Sequence, residues 1–350
     1  MRFEPSAMLY NRINSKELKE KIRHSTESRT TISFYKYHKI TEPKAFRDEL
    51  YQRFDQLGVL GRIYVATEGI NGQICVPDGQ VDAFRNQLYQ IDFLQGIRLN
   101  LAVDDNGKSF FKLKILVRKK IVADGLDDNT FDVTNSGQHV NAREFNALAD
   151  DSNTVIVDMR NHYESEVGHF KNAICPDADT FREELQIAGT LLQDQKDKKI
   201  LMYCTGGIRC EKASAWMKHI GFPHVFQLDG GIIEYARQVK AEGLENKFVG
   251  KNFVFDERLG ERISPDIISV CHQCGQPCDT HTNCQNDGCH LLFIQCEACA
   301  AANHGCCSAE CRDIVALPPD QQKEIRRGIN KGRLVFKKGR SHNIRFKANA

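Results

Sequence analysis

Long apolar runs are missing from this 350-residue chain. The most apolar patch, Leu291-Leu292-Phe293-Ile294, is the length of a strand and far below the ~18 residues of a bilayer-spanning helix, so no membrane segment is expected. The opening stretch MRFEPSAMLYNRINSKELKEKIRHS is densely charged and lacks the apolar centre of a secretion signal, so a cytoplasmic protein is expected. An excess of either charge is missing as well. Lys and Arg number 48 against 46 Asp and Glu, and a net charge of +2 excludes nucleic-acid binding through overall charge, leaving only local clusters. There is no internal repeat, no dinucleotide-binding glycine fingerprint and no evident two-His-one-carboxylate set for non-haem iron. With 41% apolar and 27% charged residues, the chain should form two or three globular domains.

Cysteine is abundant instead: 14 residues, ten of them between Cys271 and Cys311. In a reducing compartment such clustering reads as metal ligation or reactivity, not disulfides. Cys75 and Cys175 stand alone, while Cys204 and Cys210 bracket a glycine-containing loop.

From Thr30 to about Val122 the pattern reads strand-helix-strand-strand-helix-strand, the order of a ferredoxin-like α+β domain. Its strands centre on 31–35, 62–66, 70–76 and 97–101. Phe46, Leu50, Phe54 and Leu57 recur at helical spacing before Gly58, and Asp78 starts a second helix with Val81, Phe84 and Leu88. A further strand sets Phe111, Leu113, Ile115 and Val117 against Lys112, Lys114 and Arg118, followed by Lys119 and Lys120; this basic side is either a solvated face or an RNA contact. From about 128 to 245, the strands 154–157, 200–203 and 225–228 alternate with helices, the first of them capped by Asn141, which predicts a parallel sheet covered on both faces. Beyond Pro318-Pro319 the chain is basic and poor in large apolar residues, the pattern of a flexible arm, with Lys323, Arg326, Arg327, Lys331, Arg333, Lys337, Lys338, Arg340, Arg345 and Lys347 against two acids, Asp320 and Glu324.

Cys204-Thr205-Gly206-Gly207-Ile208-Arg209 follows a buried strand and precedes a helix. Glycines let the chain curl so that several backbone N–H groups aim at one point, and the helix N-terminus adds positive potential there. A thiol at such a nest is stabilised as thiolate, and Arg209 adds a cation. A protein phosphatase needs Cys-x5-Arg; here the spacing is Cys-x4-Arg, one residue short. A buried structural cysteine is the plain alternative.

The stretch DMRNHYESEVGH from Asp158 to His169 and the turn Leu228-Asp229-Gly230-Gly231 resemble rhodanese motifs. CTGGIRCEKASAWM, GGIIEYAR, GKNFVFDERLGERI, TEGINGQ and the cysteine-rich C-terminus together resemble the rhodanese-related tRNA uridine(34) hydroxylases, over roughly Thr30 to Cys311. The organisation then expected is an N-terminal extension (1–29), a ferredoxin-like α+β domain (30–125), a central rhodanese α/β domain with a parallel sheet (128–245), a small Cys-rich module (250–315) and a basic tail (316–350). The resemblance implies oxygen-dependent conversion of the wobble uridine of tRNA to 5-hydroxyuridine, with molecular oxygen as co-substrate and the anticodon loop as partner. Cys204 would be the essential cysteine, working through a persulfide. Arg209 and the loop Thr205, Gly206, Gly207 and Ile208 would shape its pocket, with Asp158 and Arg160 supporting the loop and His169 packing structurally. Cys210 either resolves an oxidised Cys204 or packs. The electron source is not legible, and a rhodanese-type persulfide sulfurtransferase is the alternative function.

The C-terminal pairs Cys271/Cys274, Cys284/Cys289, Cys296/Cys299 and Cys307/Cys311 suit tetrahedral zinc, since each short turn presents two sulfurs to one ion. An iron–sulfur cluster and unligated thiols remain open, as does the pairing; His290 is a packing residue or a ligand. Besides the basic strand and the arm, Lys196, Lys198 and Lys199 form a third cationic run suited to phosphates.

Overall fold

The computed structural model describes Leu9, Asn11 and residues 13–128 and 130–327. The basic residues from Lys331 to Lys347 lie outside the described residues. The chain begins with α1 (Ser15–His24), β1 (Arg29–Tyr37), α2 (Pro43–Gln56), β2 (Leu60–Ala66), β3 (Gly69–Pro77), α3 (Val81–Tyr89), β4 (Asn100–Leu101) and β5 (Leu113–Val117). They build one sheet in the order β4-β1-β3-β2-β5, whose first four strands pair antiparallel and whose edge strand β5 runs parallel to β2. The four-strand order is ferredoxin-like. Ile32 and Phe34 of β1 point into a core with Leu50, Phe54, Phe84 and Leu88 from the two helices. Alternation then puts Ser33, Tyr35 and Tyr37 on the opposite face. β4 is shorter than the alternation of Ile97, Leu99 and Leu101 suggests, because only Asn100 and Leu101 reach β1 in register.

The second unit comprises β6 (Gln138–Val140), α4 (Ala142–Ala149), β7 (Thr154–Asp158), α5 (His162–Ser165), β8 (Gly168–Phe170), α6 (Phe181–Leu191), β9 (Lys199–Tyr203), α7 (Ile208–His219), β10 (Val225–Leu228) and α8 (Gly231–Glu242). Its sheet, β6-β10-β9-β7, is all parallel. α4 opens on a capping box, the Asn141 side chain accepting from Glu144 N and the Glu144 carboxylate from Asn141 N. β9 alternates across the sheet: Ile200, Met202 and Cys204 enter the core shared with α6 and α7, whereas Leu201 and Tyr203 enter that shared with α4 and α8.

β11 (Phe248–Asn252) pairs antiparallel with β8 and with β12 (Glu261–Arg262). It leads into a hairpin of β13 (His281–Asn283) and β14 (Leu292–Ile294), then α9 (Glu297–Ala302), α10 (Ala309–Ala316) and α11 (Pro319–Ile325). Leu292 and Ile294 face a cluster containing Tyr163, Phe253 and Cys271, while Leu291 and Phe293 face Cys284, Cys307 and Cys311. The segment just after Pro318 differs from the arm expected there. Pro319 sits at the first turn of α11, where its missing N–H costs nothing, and Arg326 pairs with Asp287 at 2.6 Å.

The first two units meet face to face. Lys212 of α7, 1% exposed, reaches Glu68 at 2.6 Å, Asp128 at 2.7 Å and Asp124 at 3.2 Å. Glu68, in the β2–β3 turn, also accepts from Ile121 N at 2.6 Å. A buried cation among three carboxylates holds a turn of one unit, the linker and a helix of the other. Replacing Lys212 by Ala leaves buried acids without their counter-charge and should lower unfolding free energy by roughly 3–5 kcal/mol in urea titrations. A loss below ~1 kcal/mol would mean that water screens the cluster.

Candidate active site

Cys204 directly follows β9 and is fully buried. Its position depends on the turn before α8. Ile232 N donates to Cys204 O at 3.0 Å and Ile233 N to Thr205 O at 3.2 Å. These two helix-terminal donors take the loop's carbonyls, so the peptide N–H groups that follow face the sulfur. Gly207, with φ +98°, donates its N–H to Cys204 Sγ at 3.2 Å. Gly231 is the tightest position: at φ +66°, an added Cβ would lie 2.5 Å from Cys204 O, 2.6 Å from Thr205 O and 2.7 Å from Gly206 N.

Burial alone would push the Cys204 thiol up. The Cys210 thiol donating to its sulfur, the Arg209 guanidinium, and the N–H groups of Cys210 and Arg209 outweigh burial and bring it down to about 6. Burial first, and then the Cys204 sulfur, push the Cys210 thiol well above its ordinary value. The two cysteines are thus a thiolate and its thiol donor.

Arg209 is also buried, forked onto Glu164 of α5 by bonds of 2.7 Å and 2.8 Å, with Thr205 Oγ1 at 3.3 Å from the same guanidinium. Thr205 Oγ1 in turn reaches Glu164 at 3.4 Å. Asp158 and Arg160 form a second fully buried fork, 2.8 Å and 2.6 Å, and Tyr203 O–H donates to Asp158 at 2.7 Å. Arg160 also donates to Gly168 O at 2.6 Å, tying β8 to the end of β7. His169 lies against Phe170 O at 3.0 Å.

Several residues at the site escaped the sequence reading. Glu184 of α6 is fully buried, and neither carboxyl oxygen has a hydrogen-bond partner among the described residues. Burial pushes its pKa well above the usual carboxylate range, against the opposing pull of Arg209. Glu164, quoted only within a motif, is the main partner of Arg209. The first unit roofs the loop: Tyr37 O–H donates to Ile208 O at 3.3 Å, Tyr35 O–H to Glu211 at 3.0 Å, and a Cβ on Gly207 would meet Tyr35 Oη at 2.8 Å. A cleft of about 410 Å³ opens between the units, lined by Tyr35, Arg98, Asn100, Glu211 and Asp229. The alternation of Ser33, Tyr35 and Tyr37 was the available signal, an aromatic face on a strand whose other side is core.

The basic runs do not converge here. Lys196 donates to Ile220 O at 2.9 Å and Lys199 pairs with Asp151 at 2.8 Å, at the start of β9 and so across the sheet from Cys204. Lys120 is committed to Asp124, Asp128 and Leu126 O, leaving Lys114, Arg118 and Lys119 as the exposed cations of that strand.

In the C-terminal module the eight paired cysteines separate into two interleaved sets, Cys271/Cys274/Cys296/Cys299 and Cys284/Cys289/Cys307/Cys311. Within each set the sulfurs lie within 4.8 Å of one another and could hold a metal ion. Cys278, Cys306 and His290 belong to neither. His272 Nε2, beside the first set, lies 2.8 Å from Glu166, which docks the module on the segment bearing Glu164.

A parallel sheet ending in a cysteine loop gripped by the N-terminus of α8 defines a rhodanese-type domain, roofed by an acylphosphatase-like domain. Family models match accordingly: the UPF0176 acylphosphatase like domain over 29–121, the Rhodanese-like domain over 141–238 and the Rhodanase C-terminal over 249–312. The chain belongs to the tRNA uridine(34) hydroxylase family. It is 59% identical to the protein of that name from Pectobacterium carotovorum over 95% of this chain and 94% of the relative, and 58% identical to that from Pectobacterium atrosepticum with the same coverage. Among solved structures, the rhodanese-like domain of an Anabaena protein matches 32% of this chain and 78% of its own length at 20% identity, with a TM-score of 0.26, too low to carry an argument.

The thiolate can be measured directly. Thiolate absorbance of the wild type minus that of Cys204→Ser should titrate near pH 6, and Arg209→Gln should raise the midpoint by about one unit or more. Because the folded value lies below the ~8.5 of a free thiol, the ionised sulfur stabilises the fold above that pH, and the contribution fades as pH falls through about 6. A midpoint near 8.5 would refute the nest. Gly231→Ala should displace the loop and cost roughly 2–4 kcal/mol on thermal unfolding, from steric overlap plus a strained φ.

Proposed function

We propose that this chain is an oxidoreductase that hydroxylates C5 of the wobble uridine of tRNA in the cytoplasm, with Cys204 as the reactive residue. Near-full-length identity with curated tRNA uridine(34) hydroxylases carries this reading. Inserting one atom of molecular oxygen at C5 consumes two electrons and two protons and leaves water. The chain's contribution is a nucleophilic sulfur. Added to uridine C6, it makes C5 electron-rich enough to attack oxygen that an external two-electron donor has reduced to the peroxide level. The C5–O bond forms as the O–O bond breaks; the hydroxide released takes the C5 proton to leave water, and departure of the sulfur restores the ring. Since Sγ is enclosed, reach to a base is best supplied by the outer sulfur of a persulfide, ~2 Å further out. The N–H groups around Sγ and the nearby Arg209 would hold that sulfur anionic, and the Asp158–Arg160 fork would hold the loop's footing. In this reading residues 30–125 roof the site, 128–245 supply the chemistry, 250–315 form a metal-stapled module, and 316–350 add basic charge for the anticodon arm.

We assign each C-terminal set one structural zinc. Four thiolates ~2.3 Å from zinc stand about 3.8 Å apart at the corners of a tetrahedron. Sulfurs in the two sets are separated by 3.6 Å (Cys274–Cys296), 3.6 Å (Cys289–Cys307) and 3.8 Å (Cys307–Cys311), and backbone N–H groups of Cys296 and Cys307 point at Cys271 and Cys284. Elemental analysis of the purified protein should find two zinc ions per chain and about one in Cys274→Ser; iron with visible absorbance would replace this assignment by an iron–sulfur centre.

Nucleoside mass spectrometry on cells lacking this protein and redundant routes decides the activity. Complementation with the wild type should restore 5-hydroxyuridine, and Cys204→Ala should not. If neither restores it while both are soluble, persulfide sulfur transfer becomes the better reading.

A further inference from the structure

Asn100 is 4% exposed, and its Oδ1 has no hydrogen-bond partner among the described residues. An amide oxygen left in that state costs roughly 1–3 kcal/mol, so it calls for a partner from outside the protein, which a bound base could supply. Asn100 pairs across the sheet with Ser33, which places both side chains beside Tyr35 on the face turned to the Cys204 loop. A Cβ on Gly206 would meet only Asn100 Nδ2 at 3.8 Å and Ser33 Oγ at 4.0 Å. Between the loop and the amide there is thus room for about one carbon, and Asn100 also lines the cleft. At the mouth of that cleft Arg98, held by Asp229 at 2.5 Å and 42% exposed, offers a cation of the kind a nucleotide phosphate needs.

We propose that Asn100 recognises the base edge of the target uridine. Its Oδ1 accepts from uracil N3–H while Nδ2 donates to the neighbouring ring carbonyl, with the Tyr35 ring beside the base. This rests on the tRNA reading above and makes Asn100 a specificity-determining residue, not a chemical one. Uracil presents one N–H between two carbonyls, and a primary amide complements two adjacent positions of that edge. The amide can turn over and meet cytosine with donor and acceptor exchanged, so cytosine does not isolate the contact. 3-Methyluridine does, because it loses only the N3–H.

The test measures binding of the full-length protein to anticodon stem-loop RNAs that carry uridine or 3-methyluridine at position 34, with an unrelated hairpin as reference, by fluorescence anisotropy. The wild type should prefer uridine by roughly tenfold or more. Asn100→Ala should erase the preference by weakening the uridine RNA alone. The affinity of Asn100→Ala for the 3-methyluridine RNA should match that of the wild type, which separates recognition from folding. If the wild type favours the anticodon stem-loop over the hairpin yet binds both bases equally, or if Asn100→Ala keeps the preference, the assignment to Asn100 is overturned and the tRNA reading stands. If the wild type binds the anticodon stem-loop no better than the hairpin, both are overturned.

Discussion

Everything at this site depends on which way the peptide groups between Cys204 and Arg209 face. A curled loop can turn its carbonyls or its N–H groups toward the centre, and only the second arrangement stabilises an anion. The choice is made by α8, whose first N–H groups bind the carbonyls of Cys204 and Thr205 and so leave the loop's own N–H groups to converge on sulfur. Gly231 makes the approach possible, because any side chain there would occupy the volume of the loop backbone. The surroundings of one sulfur are thus set by a helix that starts 27 residues later in the chain.

Buried charge surrounds that loop, and it is paired. Asp158–Arg160 and Glu164–Arg209 are bidentate forks within the protein, each anchored further by a hydroxyl from Tyr203 or Thr205. Fork geometry removes rotational freedom from both partners, so the pairs act as rigid struts beneath the loop. Glu184 is the exception. With no partner for either oxygen among the described residues and its pKa pushed up by burial, it stands apart from the paired network. The C-terminal module reaches the same network from outside through His272–Glu166 and the Phe255 ring, 5.9 Å from the Arg209 guanidinium.

The roof is what distinguishes this arrangement from a bare sulfur-transfer loop. β1 lays Ser33, Tyr35 and Tyr37 over Gly206, Gly207 and Ile208 in step, because side chains two apart on a strand share a face. Lys212 and its three carboxylates keep that register by joining the two units where they meet. A small cleft between rigid walls suits a single unstacked base better than a protein acceptor.

Short-range chemistry was readable from the sequence. Alternation marked β2 and β3, a continuous apolar run marked β9, a capping residue marked the start of α4, and the spacing from Cys204 to Arg209 marked the loop, since each depends on neighbours within a few positions. The cysteine pairs were equally legible as pairs. What joins those pieces was not. Tyr35 meets Glu211 across 176 positions and Lys212 meets Glu68 across 144, and which two thiol pairs come together follows from how the hairpin β13–β14 folds between them. Basic runs show the same limit from the other side: Lys120 and Lys199 look free in sequence and are bound in space. By itself the sequence determined the elements, the position of the cysteine loop and the thiol pairs; the partner of each buried charge and the cleft beside Asn100 were decided by tertiary packing, because contacts between distant segments obey no local periodicity.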